Sequence, residues 1–326
     1  MNKSCELRVA SCELAQCYGA SARPKVFNSK PETRNPKLFQ TGFTLVEMVA
    51  VMSITAIVAA AVAVFLRLPL QEYQDAQRRA LITDAADTAF TRVKRDLQTA
   101  LPNSVRVTSV GAVYYLEFLQ TRSGGRYRAS LSSTPALVCD AVAGDAGGDV
   151  LTFGVSDTCF TTLGDLPNRA SIVNTDYIVV YNLGTGFTNA DAYAVGGAAS
   201  GNKSLISTVT AGAGGANVVQ FAAHKFSLDS PGQRFQVISG PVTYECNPGL
   251  GILRRYSGYA IAAAQPTPPG GTPVPLAQNI GNCTITYNQN VINQRIGVVS
   301  IWLGFSDATS ATNVNLFQQV QVSNVP

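Results

Sequence analysis

Few residues in this chain have the type and spacing to do chemistry, and the clearest is a carboxylate placed where charge is costly. Glu47 is the single charged residue in the 24-residue apolar run from Phe43 to Leu66. An ionised acid in hydrocarbon costs about 2.5–3.5 kcal/mol on insertion scales, so its presence there implies a task. In a low dielectric, an ammonium and a carboxylate attract strongly. This is pairing chemistry and not bond-making chemistry. The usual catalytic constellations find little to build on. His224 is the only histidine, and no nucleophile elbow exists to join it in a Ser-His-Asp triad. No glycine-rich loop leads into Lys-Ser or Lys-Thr, as phosphate binding would need. The stretch Gly144 to Asp149 offers two carboxylates to Ca²⁺, but without EF-hand spacing. The expectation is a protein with no catalytic residue, no metal and no cofactor, and not an enzyme.

The elements that would hold Glu47 and the rest are set by periodicity. The run 43–66 is long enough to cross a bilayer as a helix. Arg67 marks its far edge, and Pro69 is expected to kink the helix just beyond it. Over 67–102 the pattern becomes amphipathic. Tyr73, Ala76, Ala80 and Leu81, then Phe90, Val93, Leu97 and Leu101, recur at helical spacing between charged residues, and Pro102 ends the element. A helix over 43–100 would be about 85 Å long at 1.5 Å per residue.

Beyond Pro102 the pattern is β. Short strands are expected at 105–108, 113–119, 149–153, 177–181, 234–238, 242–246, 251–256, 283–287, 297–303 and 315–322. Ser123-Gly124-Gly125-Arg126 reads as a hairpin turn. The Gly/Ala-rich stretch 184–217 and the proline-rich 265–275 read as exposed excursions. The fold class is α+β: a long N-terminal helix, transmembrane and then amphipathic, packed on a β-rich globular head of antiparallel sheets. The divisions are 1–42, 43–66, 67–102 and 103–326.

Charge and cysteines fall on either side of the apolar run. The formal charge of +4 is already complete in residues 1–42, which hold seven basic and three acidic residues, leaving 17 of each beyond. A neutral head gives no case for nucleic-acid binding by bulk charge. Positive charge before the span places the N-terminus in the cytoplasm. Cys5, Cys12 and Cys17 precede the span, with no nearby histidine to make Cys12 and Cys17 a metal site. Cys139, Cys159, Cys246 and Cys283 lie beyond it, an even number suited to an oxidising compartment. Four cysteines allow three connectivities, and the sequential pairs Cys139–Cys159 and Cys246–Cys283 are preferred.

The hexapeptide Gly42-Phe43-Thr44-Leu45-Val46-Glu47 resembles the junction that prepilin peptidase cuts in type IV pilins and pseudopilins. Further stretches resemble the MshO-type minor pilins of the mannose-sensitive haemagglutinin pilus, relatives of the J-type minor pseudopilins. These are Arg95 to Arg106, Gly124-Gly125-Arg126-Tyr127-Arg128, Asp149 to Gly154, Ser230 to Phe235, Gly240 to Tyr244, Leu253-Arg254-Arg255-Tyr256 and Val322 to Pro326. The resemblance implies removal of 1–42, methylation of Phe43 and single-pass insertion in the inner membrane, with the head in the periplasm. It also implies that Glu47 docks on a neighbour's Phe43. The implied partners are prepilin peptidase, other minor pilins, the major pilin, the assembly platform and membrane lipid. A leader of 42 residues is long for the family, and a start near Val26 or Leu38 would shorten it. Other readings stay open. The run could be a plain signal-anchor, or a secretory signal cut after Ala61-Val62-Ala63. The chain could be a type II secretion pseudopilin. It could be a tip adhesin for glycan, surface or DNA, using Tyr177, Tyr181 and Tyr193, or a membrane-anchored hydrolase using His224.

Overall fold

The computed structural model describes residues 42–130, 150–194, 200–291, 295–306 and 313–326. Helix α1 spans Leu45–Gln98 with Pro69 inside it. The chain divides into two units, one ending at Ala63 and one running from Val64 to Pro326, and each is described by itself.

In the first unit, residues 42–44 are non-helical and every residue from Gly42 to Ala63 is exposed. Within α1 an 18-residue window reaches a mean hydropathy of 2.7 with none of it buried, long and apolar enough to cross a membrane. The polar side chains inside this stretch find partners within the helix. Thr55 Oγ1 donates to the Val51 carbonyl at 2.8 Å, and the Ser53 hydroxyl reaches the Val49 carbonyl likewise. Such back-bonding lets a hydroxyl enter an apolar medium without a stranded donor.

In the second unit, the last four turns of α1 pack on two sheets. Ala86, Ala89, Phe90, Val93 and Leu97 form the buried stripe, at spacings of three and four. Burial of Phe90, Val93 and Leu97 is worth about 1.5–3 kcal/mol for each side chain. The expected amphipathic face is therefore only half used. Tyr73 and Leu81 stay exposed at 62% and 70%, as does Leu70 before them. The core reaches no further up the helix than Ile82, so residues 69–81 have nothing in the head to cover them.

The strands, in order, are β1 (Arg106–Val110), β2 (Val113–Arg126), β3 (Asp157–Thr161), β4 (Tyr177–Val180), β5 (Ser200–Gly201), β6 (Lys203–Ala211), β7 (Asn217–Phe226) and β8 (Arg234–Asn247). Then come β9 (Ile252–Ser257), β10 (Thr272–Gln278), β11 (Ile280–Val291), β12 (Ile296–Ser306) and β13 (Asn313–Ser323). Among the described residues, β1 to β10 form one sheet along the path β1-β2-β8-β4-β6-β7-β3, with β9 and β10 branching from β8 and β5 pairing with β7. All pairings are antiparallel except β5 with β7. The hub is β8. One edge pairs with β2 throughout; the other pairs with β4 over its first half and with β9 over its second. The second sheet has the order β11-β12-β13. Its inner face (Cys283, Ile285, Val299, Ile301, Leu303, Val320 and Val322) shares one core with the helix stripe and with Leu116, Phe118, Val242 and Tyr244 of the large sheet.

Several local expectations change. Gly124 and Gly125 do not turn; they lie inside β2, where a neighbour comes too close for a side chain. A Cβ on Gly125 would meet Leu166 Cδ2 at 2.7 Å. The stretches 234–238 and 242–246 are one strand, β8, running through Gly240-Pro241. The Gly/Ala-rich excursion is smaller than expected, because β6 starts at Lys203 and pairs with β7. The proline-rich stretch ends in β10, which pairs with β9 through Pro273 and Pro275. Prolines suit such a position on an edge strand. Of the strand expected at 149–153, the described residues 150–153 form only an isolated bridge from Phe153 to Phe226.

Candidate processing and assembly site

Thr44 fixes where the helix starts. Its Oγ1 accepts the N–H of Glu47 at 3.3 Å, and its carbonyl accepts the N–H groups of Glu47 and Met48 at 3.1 and 3.2 Å. Thr-x-x-Glu is the sequence signature of such a cap. The cap leaves Gly42 and Phe43 outside the helix and exposed, Phe43 at 77%. Nothing lies within 4 Å of a Cβ placed on Gly42. The Gly42–Phe43 peptide bond is thus accessible and free of helical hydrogen bonding, as a peptidase substrate must be. Glu47 sits in the first helical turn, where the helix dipole favours negative charge. Among the described residues no cation lies within ion-pair distance of it.

The other end of α1 is built differently. Asp96 is 4% exposed; it accepts from two side chains and is ion-paired with a third. Arg255 Nε reaches Oδ2 at 2.7 Å, the Tyr244 hydroxyl donates to the same oxygen at 2.9 Å, and Arg92 Nε lies 3.3 Å from Oδ1. Arg255 is on β9 and Tyr244 on β8, so the carboxylate ties the last turn of the helix to the large sheet. Burial, with Asp96 next, pushes the Tyr244 hydroxyl pKa well above its ordinary value. Arg95, which opens the Arg95 to Arg106 stretch of the resemblance, is exposed.

A second buried carboxylate lies on the face of the large sheet away from the helix. Glu117 accepts from Arg106 Nη2 at 2.6 Å and Nε at 3.0 Å, and from the hydroxyls of Thr243 and Tyr259, both at 3.2 Å. Burial raises its pKa, with Arg106 acting in the opposite direction. Arg106 also donates to the carbonyls of Ala262 and Ala263 and stacks 3.7 Å above the Tyr193 ring. Tyr193 is itself 1% exposed and donates to the Ser104 carbonyl. It is a core residue, inaccessible as a contact for a glycan. Tyr177 lines a cleft of about 450 Å³ with Asp191, Asn202 and Lys203. The Lys203 ammonium there already donates to the carbonyls of Ala192 and Ala194.

Cys246 and Cys283 form a disulfide joining β8 to β11, and hence one sheet to the other. Cys159 is disulfide-bonded, while Cys139 lies outside the described residues, as do the Gly144–Asp149 loop and residues 1–41. His224 is 2% exposed, with Nε2 3.3 Å from the Gly201 carbonyl and its ring against Phe226. Among the described residues no three His, Cys, Asp or Glu side chains gather as metal ligands.

With the Gly42–Phe43 bond exposed, the helix capped and a carboxylate four residues beyond Phe43, one comparison bears directly on this end of the chain. Residues 38–63 match the prokaryotic N-terminal methylation motif. The motif is the signal of type IV pilins and pseudopilins, and it supports a pilin-like protein processed by prepilin peptidase. Together with the apolar helix it suggests membrane anchoring. No curated protein and no solved structure matches the chain.

Proposed function

We propose that this chain is a minor type IV pilin of the MshO kind. In this reading it inserts in the inner membrane with its head in the periplasm, is cut between Gly42 and Phe43, and is methylated on the new terminus. It then joins other minor pilins in a complex that initiates or caps the pilus, in contact with the assembly platform and the major pilin. The methylation motif over residues 38–63 carries the pilin part of the reading, and the MshO kind rests on the resemblance of the stretches in the head. Glu47 supports the docking step, since a neighbour's α-ammonium at Phe43 would supply the cation it lacks among the described residues. The exposed apolar side chains of residues 69–81 support it as well, being surface that other subunits would cover. The head, in this proposal, selects neighbours and performs no catalysis. The same motif supports a second reading, a minor pseudopilin of a type II secretion system.

Mass spectrometry of the protein from strains with and without prepilin peptidase tests the first step. A mature chain beginning at N-methylated Phe43, present only with the peptidase, is the expected result. A chain beginning after Ala63 overturns it. Cross-linking of the mature protein should capture other pilins, and deletion of its gene should abolish piliation. Intact pili with failed secretion would move the chain to the pseudopilus.

A further inference from the structure

A strand at the edge of a sheet exposes backbone groups that another strand can pair with, and folds usually blunt such edges. Among the described residues, most edges of this head are blunted. Strands β1 and β3 are each five residues long and carry Arg106 and Asp157. Strand β10 carries Pro273 and Pro275 and shifts register beside the second. Strand β11 shifts register near both ends. Strand β13 has none of these devices. It is 11 residues long, holds no charged residue, proline or glycine, and keeps a single register along β12. Which of its backbone groups are free follows from the ladder. The Asn324 N–H donates to the Arg295 carbonyl at 2.9 Å, one step beyond the paired Ser323 and Ile296. Hydrogen-bonded and non-bonded pairs alternate in such a ladder, so Val314, Leu316, Gln318, Val320 and Val322 turn their backbone groups to β12. Asn313, Asn315, Phe317, Gln319 and Gln321 turn theirs to the free edge, and their side chains are exposed, Phe317 at 61%. Among the described residues, the bond made to this edge runs from Gln318 Nε2 to the Gln319 carbonyl, at 3.2 Å. Beside it, Lys94 and Gln98 of α1 share a cavity of about 290 Å³ with Val298, Gln319, Val320 and Gln321. Lys94 is exposed, and among the described residues no carboxylate lies within ion-pair distance of it.

We propose that the free edge of β13 takes up an extended strand of a different protein chain, one with an acidic side chain placed to meet Lys94. Donors and acceptors that repeat along one side of an extended backbone are matched by another extended backbone. Backbone pairing is indifferent to sequence, so side chains must choose the partner. Phe317 makes one choice. Opposed side chains on paired strands sit about 5 Å apart, and an aromatic ring there favours a β-branched neighbour. Lys94 makes the other, because an unpaired cation beside the edge is complemented by a carboxylate. Gln321, which lines the cavity with Lys94, is on the same face of the strand as Phe317. The acid therefore belongs about four positions from the β-branched residue, on one face of the incoming strand. The same chemistry argues against a second copy of this chain. Strand β13 contains no Asp or Glu, so pairing it with itself brings no carboxylate to Lys94. The inference concerns the head alone and does not depend on the pilin reading.

The probe is a labelled peptide, Glu-Thr-Val-Thr-Val-Thr-Val-Thr-Glu, which brings an acid to Lys94 whichever way it runs. Fluorescence anisotropy would follow its binding to the full chain in detergent micelles, with empty micelles as the blank. Saturable binding is expected, about fivefold weaker when both Glu are replaced by Lys. N-methylation of the four central amides should abolish it. Lys94→Glu should reverse the charge preference, so that the Lys peptide binds better. Gln319→Pro removes an N–H that faces the free edge, a position where strands tolerate proline. Its far-UV spectrum should match the wild type while peptide binding falls about tenfold. Four results would overturn the proposal. The first is no binding at millimolar peptide, and the second is equal binding by the N-methylated peptide. The third is an unchanged charge preference in Lys94→Glu, a readout that stands even where the proline variant does not fold. The last is a dimer of the full chain that Gln319→Pro dissolves, which would give the edge to a second copy.

Discussion

Helix α1 carries a carboxylate near each end, and the two are in opposite circumstances. Asp96 is buried, accepts from Arg255 and Tyr244 and is ion-paired with Arg92, all within its own chain. Glu47 is exposed on an apolar helix, and among the described residues it has no cation. The difference separates two uses of a carboxylate. A charge whose partners are all in the chain sets the fold, and removing it leaves those partners buried and unpaired. A charge without a partner, on a segment too apolar for water to serve it in a membrane, is placed for something outside the chain.

The contrast predicts opposite phenotypes, and Glu47→Ala should give the larger one. The variant is expected to insert and to be cleaved before Phe43, with its head as stable as the wild type's, yet to fall to background levels in cross-linked pilin complexes. Normal incorporation would break the comparison, because Glu47 would then need no outside cation. Asp96→Ala should do the reverse. Loss of one partner from a buried ionic cluster costs about 3–5 kcal/mol, with the lower end expected because the Arg92 side chain is 42% exposed. Denaturant melts of the purified protein would read the loss. Processing at Gly42 should be untouched, and incorporation should fall only as far as the folded fraction falls.

How much of this was legible in the sequence depended on how local each signal was. Gly42, Phe43 and Glu47 are readable because cleavage, capping and charge all act within six residues, and the Thr44 cap was available from Thr-x-x-Glu. The helix stripe at Phe90, Val93 and Leu97 was legible from period alone. Where that stripe stops was not, because the limit is set by the reach of the sheets. Asp96 lies in the Arg95 to Arg106 stretch that carries the resemblance, but a solvated charge looks the same until Arg255, 159 residues away, is placed beside it. Glycines misled where their reason was a distant neighbour, as with Gly125 against Leu166. The aromatic residues were misjudged for the same cause. Tyr177, Tyr181 and Tyr193 cluster in sequence, yet Tyr193 proves to be core.

Two smaller changes sharpen the contrast from inside the fold. Tyr244→Phe removes one neutral donor from Asp96 and leaves both arginines. A cost of about 1–1.5 kcal/mol is expected, the net worth of one hydrogen bond. A loss as large as that of Asp96→Ala would mean that the hydroxyl and not the ion pair holds the helix. Glu117 then asks whether a paired carboxylate always stabilises. Burial raises its pKa in the folded chain despite Arg106. Below the ordinary carboxylate value of about 4.3 the group is protonated in both folded and unfolded chains. As pH rises from there the unfolded chain ionises first, and Glu117 withdraws stability until the folded value is passed. Glu117→Gln cannot titrate, and the raised Asp157 is common to both proteins and cancels. Urea melts at pH 4, 5.5 and 7 should therefore show wild type losing ground to Glu117→Gln as pH rises. The opposite slope would show that Arg106 outweighs burial.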